Sequence, residues 1–93
     1  MFSARDRGLV HLQYVGDVPG TPAERLRVGD RLMWNGGALS EVLTIEEASP
    51  AYLAITARSS RSGEVRPRRL KKDRLVALVD PIDGRVRTRE RNP

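Results

Sequence analysis

The 93 residues are enough for one small domain and too few for two separate cores. Hydrophobic residues make up 39% and charged residues 31%, and the longest apolar run is the five residues Leu75 to Val79, far short of the about 20 a membrane-spanning helix needs. There is no cysteine and one histidine, which excludes disulfides, thiolate chemistry and a multi-histidine metal site, and the net charge is +5.

The N-terminal residues 1–8 read as a flexible lead with no apolar signal region, the pattern of a cytoplasmic protein. Residues 9–15 (LVHLQYV) alternate as a strand. Gly16-Asp17 and Pro19-Gly20 are turn signals, so the chain is expected to reverse there. Thr21-Pro22-Ala23-Glu24 fits a capping box: the threonine hydroxyl can accept the Glu24 N–H, and proline suits the first helical position. Val28-Gly29-Asp30 turns again, which limits 22–26 to a single helical turn.

From Asp30 onward the pattern is all β. Residues 31–35 place Leu32 and Trp34 on one face, and Trp34 is expected to be largely buried. Asn35-Gly36-Gly37 is a hairpin signal, since glycine adopts positive φ at no steric cost. Residues 38–48 form a long strand, apolar on parts of both faces, which suggests a bend. Helical spacing of Ala38, Val42 and Ile45 competes with that reading, and the β-branched residues favour the strand. Ser49-Pro50 breaks the chain; 51–58 alternates with Leu53, Ile55 and Ala57 on one face. Residues 59–63 are a hairpin loop, and 64–70 return as a strand that Pro67 confines to an edge. Residues 71–74 suit a 3₁₀ turn, and 75–79 are a buried last strand. The domain is expected to span 9–84. Residues 85–93, with Arg85, Arg87, Arg89 and Arg91, read as a basic disordered tail.

This order resembles the SH3-like small β-barrel: about five strands, an N-terminal extension and a 3₁₀ turn before the last strand. The resemblance covers about residues 28–79 and rests on the order of elements. Residues 22–30 (PAERLRVGD) look like the lead-in to a barrel strand in intein-type domains. No cysteine or serine nucleophile stands where splicing would need one, so no activity follows. The whole chain also resembles short proteins of actinobacteria and their phages, which implies a habitat and no chemistry.

No residue set argues for an enzyme or a cofactor. His11 has no identifiable partner and reads as structural or exposed. Glu46 and Glu47 are adjacent on a strand and point to opposite faces, so they cannot act as a carboxylate pair. Ser59, Ser60 and Ser62 lack a base, and Gly36-Gly37 lacks the features of a phosphate loop.

The distinctive feature is charge. Residues 1–50 hold five Arg and seven acids, whereas 51–93 hold twelve basic residues and five acids. Eight of the twelve lie within 58–74: Arg58, Arg61, Arg66, Arg68, Arg69, Lys71, Lys72 and Arg74. One hairpin and one turn are expected to gather most of them on one side, as a surface for phosphates. Aromatic residues are few, so contact with the backbone of DNA or RNA is favoured over base reading. The alternative is a phage- or actinobacteria-encoded interaction module or inhibitor docking an acidic host protein through the same residues. A homo-oligomer pairing through 75–79 fits either reading.

Overall fold

The computed structural model describes residues 8–89. Among these, all regular structure is β except for two single 3₁₀ turns, at Ala23–Arg25 and Asn35–Gly37. The N-terminal unit is a hairpin of β1 (Leu9–Leu12) and β2 (Gly16–Pro19), paired from Leu9–Pro19 to Leu12–Gly16. The first strand is shorter than its alternation suggests. Tyr14 adopts φ 66°, and the Val15 N–H donates to the Leu12 carbonyl at 3.0 Å. The reversal therefore falls at 13–15, and Gly16-Asp17 opens the second strand instead of turning.

Gly20 then brings the chain close to the last long strand. A Cβ there would stand 2.8 Å from the Leu75 Cβ, so only glycine allows the approach. β3 (Thr21–Pro22) follows, and the 3₁₀ turn comes where one helical turn is expected. The capping box does not form. The Ala23 and Glu24 N–H groups donate to the Arg74 and Lys72 carbonyls at 2.8 and 3.0 Å, which leaves the Thr21 hydroxyl free to accept the Arg89 N–H at 3.1 Å.

The main sheet is built from β4 (Arg31–Met33), β5 (Leu39–Ser49), β6 (Tyr52–Ser59), β7 (Val65–Lys71) and β8 (Leu75–Val79). Its order is β3-β8-β4-β5-β6-β7, all antiparallel. Gly36 and Gly37, at φ 76° and 79°, make the β4–β5 turn. β5 bends as expected, through register shifts between Val42 and Thr44 and between Glu47 and Ser49. The first bulge turns both Val42 and Ile45 inward, three positions apart. It thereby accounts for spacing in the sequence that also fits a helix. Leu32, Val42, Leu53, Ile55, Leu70, Val76 and Leu78 form the core, closed at one end by Ala23 and Leu26.

Three expectations are corrected. The sheet does not close into a barrel: β3 and β7 are its two ends. Closure is opposed by β7 itself, whose residues 65–69 are all exposed and include Pro67, which has no N–H to offer a further strand. The curled sheet remains compatible with a small-barrel fold. The segment before β8 is a hydrogen-bonded turn, Arg74 N–H to Lys71 carbonyl at 3.0 Å. It stops at that one turn: the Lys72 carbonyl, the acceptor for the next 3₁₀ step, instead accepts the Glu24 N–H at 3.0 Å. Finally, 85–89 are not a disordered tail. Val86–Arg87 forms β9, pairing with Leu78 and Val79 of β8. Asp80 turns the chain back by accepting the Ile82 and Asp83 N–H groups at 2.7 and 3.2 Å. The expected flexible lead, residues 1–8, lies outside the described residues apart from Gly8, as does the end of the expected tail, 90–93.

Candidate nucleic-acid interface

The alternation of β7 sorts the predicted basic residues onto two faces. Leu53–Leu70, Ile55–Arg68 and Ala57–Arg66 are opposed pairs. Leu70, Arg68 and Arg66 therefore share the inner face with Ile55. Leu70 is buried in the core, and the two arginines continue the row past its edge. Tyr52–Lys71, Ala54–Arg69 and Arg58–Val65 form the outer face. The expected single patch is thus divided by the pleat.

On the inner side, Arg66, Arg68 and Arg74 meet Trp34 around one groove of about 500 Å³. Trp34 directly follows β4, and its N–H donates to the Ala38 carbonyl at 2.8 Å, closing the glycine turn. Its indole Nε1–H donates to the Ser40 hydroxyl at 2.7 Å, which fixes the ring plane. The Arg68 guanidinium carbon lies 4.7 Å from the ring centroid and that of Arg74 6.0 Å, within cation–π range. Arg66 donates to Glu64 at 3.0 Å, so one acid stands on the rim beside three arginines. The groove's lining is net cationic.

The remaining predicted residues lie elsewhere. On the outer face Arg69 stacks on Tyr52 at 4.8 Å, with Arg58 and Lys71 exposed along the same row. Arg61 stands exposed in the 60–63 loop, which is shaped by Ser59 accepting the Arg61 and Ser62 N–H groups at 3.3 Å. Lys72 is bound to Glu47, and its ammonium holds that carboxyl below the usual carboxylate range. These residues do not belong to the groove.

Trp34 is a site residue that the sequence reading assigned to the core. It is half-buried, packed against the core on one side and facing the arginines on the other. The one available signal is its position on the same face as Leu32, two residues on, where the β4 row runs out of core. His11 is exposed and bonded to Asp17 at 2.8 Å, its cross-strand partner, in line with a structural role.

A second hollow, of about 510 Å³, lies between β4, β8 and β9. Four of its six charged lining residues pair with each other. Arg89 forms a forked pair with Asp30 at 2.6 and 2.7 Å and also donates to the Arg25 carbonyl at 2.9 Å. Asp30 raises the Arg89 pKa above its ordinary value through these hydrogen bonds. Arg87 is held by Asp83 and Asp80.

Among the described residues no group of three His, Cys, Asp or Glu is placed to hold a metal ion, and no helix is long and apolar enough to cross a membrane. Comparison with known proteins finds no matching family model, no matching curated protein and no matching solved structure. The resemblances to SH3-like barrels, intein-type domains and actinobacterial or phage proteins gain no support from it.

Proposed function

We propose that this protein binds nucleic acid, chiefly through phosphate contacts made by Arg66, Arg68 and Arg74. One observation carries the reading: three arginines from β7 and the following turn line one groove with the single tryptophan, two of them, Arg68 and Arg74, over its ring. Arginine forks match phosphate oxygens bidentately, and an indole fixed by its own hydrogen bond offers a rigid flat surface beside them. The outer row of Arg58, Arg69 and Lys71 adds long-range attraction on the far side of the same strand pair. The role we propose is binding.

A second reading is favoured by a different observation. β7 is a sheet end, and its exposed backbone and arginines suit an extended acidic segment of a protein partner. Gel shifts with unrelated oligonucleotides at two salt concentrations separate the two. Binding at low salt that weakens steeply at high salt supports the nucleic-acid reading. No shift at low salt, with a pull-down partner that survives nuclease, supports the protein partner.

A further inference from the structure

The groove bears on which form of nucleic acid fits, and this inference rests on the reading above. We infer that it takes unpaired nucleotides, so that the protein selects single-stranded over duplex nucleic acid. The flat guanidinium of Arg68 covers the groove side of the Trp34 ring at 4.7 Å, so a base stacks on that guanidinium or takes its place on the ring. Bases stack on such planes when their faces are free, and in a duplex the faces are already stacked on neighbouring pairs. The hollow, about 500 Å³, suits one base with its sugar and phosphate.

The second observation is Tyr14. Its neighbour Gln13 donates its N–H to the Asn35 Oδ1 at 2.8 Å and accepts the Gly36 N–H at 2.6 Å. Asn35 lines the groove, so these bonds pin the tip of the β1–β2 hairpin to its rim. Tyr14, at that tip, is 90% exposed and has φ 66°, the one non-glycine residue with positive φ among the described residues. Such a backbone is costly for a bulky side chain, and the ring recovers nothing by burial. The pinned Gln13 backbone thus holds Tyr14 in an exposed position next to a residue bound to the groove's Asn35, where its ring is available as a second stacking surface for the next base of a bound strand.

Trp34 is the only tryptophan, so its emission reports directly on the groove. The test titrates the full chain with a short oligo-thymidine strand and, separately, with a blunt duplex. The inference expects the single strand to bind about tenfold tighter than the duplex and to quench Trp34. Tyr14→Asn keeps a residue that tolerates the left-handed backbone; it should weaken single-strand binding about fivefold or more at unchanged Tm. Duplex binding as tight as the single strand, unaltered Trp34 emission on binding, or a neutral Tyr14→Asn overturns the inference and leaves phosphate binding standing. Absence of binding to both probes at low salt overturns the underlying reading as well.

Discussion

The Arg68 guanidinium lies over the Trp34 ring, 4.7 Å from its centroid, although two whole strands separate them in the sheet. A flat sheet would hold such residues about 14 Å apart, at roughly 4.8 Å per strand. The contact exists because the sheet curls over its inner face, helped by the two bulges of β5. The same curl that encloses the core therefore builds the groove. Charge at Arg68 and an aromatic ring at Trp34 become one surface only in the folded chain.

The C-terminal segment should stabilise the domain. Arg89 is forked onto Asp30, donates to the Arg25 carbonyl, and its N–H is accepted by Thr21, which is fully buried. Asp30 in turn accepts the Arg27 N–H at 2.7 Å and caps the turn into β4. Arg89→Ala should cost about 1–2 kcal/mol, because the pair is only partly shielded and Asp30 keeps a partner. That corresponds to a Tm drop of roughly 4–16 °C for a domain of this size. Thermal denaturation checks it, and truncation before Arg85 should lower Tm further by removing β9.

Gly20→Ala should destabilise the domain although it adds one methyl. The new Cβ would meet the Leu75 Cβ at 2.8 Å and the Gly8 carbonyl oxygen at 3.3 Å, neither the far end of a flexible chain. Overpacking of this kind costs about 1–3 kcal/mol. Chemical denaturation should show a lower midpoint with an unchanged slope.

Much of the fold is legible in the sequence from Asp30 onward. Alternation marks β4 and β6, a continuous apolar run marks β8, and a double glycine, Ser49-Pro50 and an edge proline mark the breaks between and within strands, while β5 is read as a strand over a competing helical spacing. The N-terminal hairpin is not legible at its turn, because tyrosine at positive φ is a choice local preference argues against. β9 carries one apolar residue, Val86, and forms because Asp80 and Asp83 fold the chain back and Arg89 finds Asp30, partners far away in sequence. The site is half legible. Composition points to the β6–β7 region, but which arginines act together depends on the pleat of β7, and the role of Trp34 depends on where the core ends.

Acid should weaken the fold through two surface pairs. Lys72 lowers the Glu47 pKa, mainly through its hydrogen bond, and Arg87 and the Arg85 N–H lower that of Asp83. A carboxyl whose folded pKa is depressed stabilises the fold above its unfolded pKa, and the gain is lost as pH falls through the folded value. Tm should therefore stay level from neutral pH down to the ordinary carboxylate range and decline below it. Glu47→Gln, with Tm recorded against pH, should start lower at neutral pH and decline less.

The most direct test measures affinity for an oligonucleotide at several salt concentrations, for the wild type and for Arg66→Gln, Arg68→Gln and Arg74→Gln combined. Two of the three side chains emerge from an exposed edge strand and the third from the turn after it, so the variant should fold with a Tm near that of the wild type. Three lost phosphate contacts should reduce the slope of log K against log salt by about 2–3. Arg58→Gln, Arg69→Gln and Lys71→Gln, the matching change on the outer face, should have a clearly smaller effect. A wild-type protein that binds with no salt dependence, or an outer-face variant that loses as much as the groove variant, would contradict the assignment of binding to the groove.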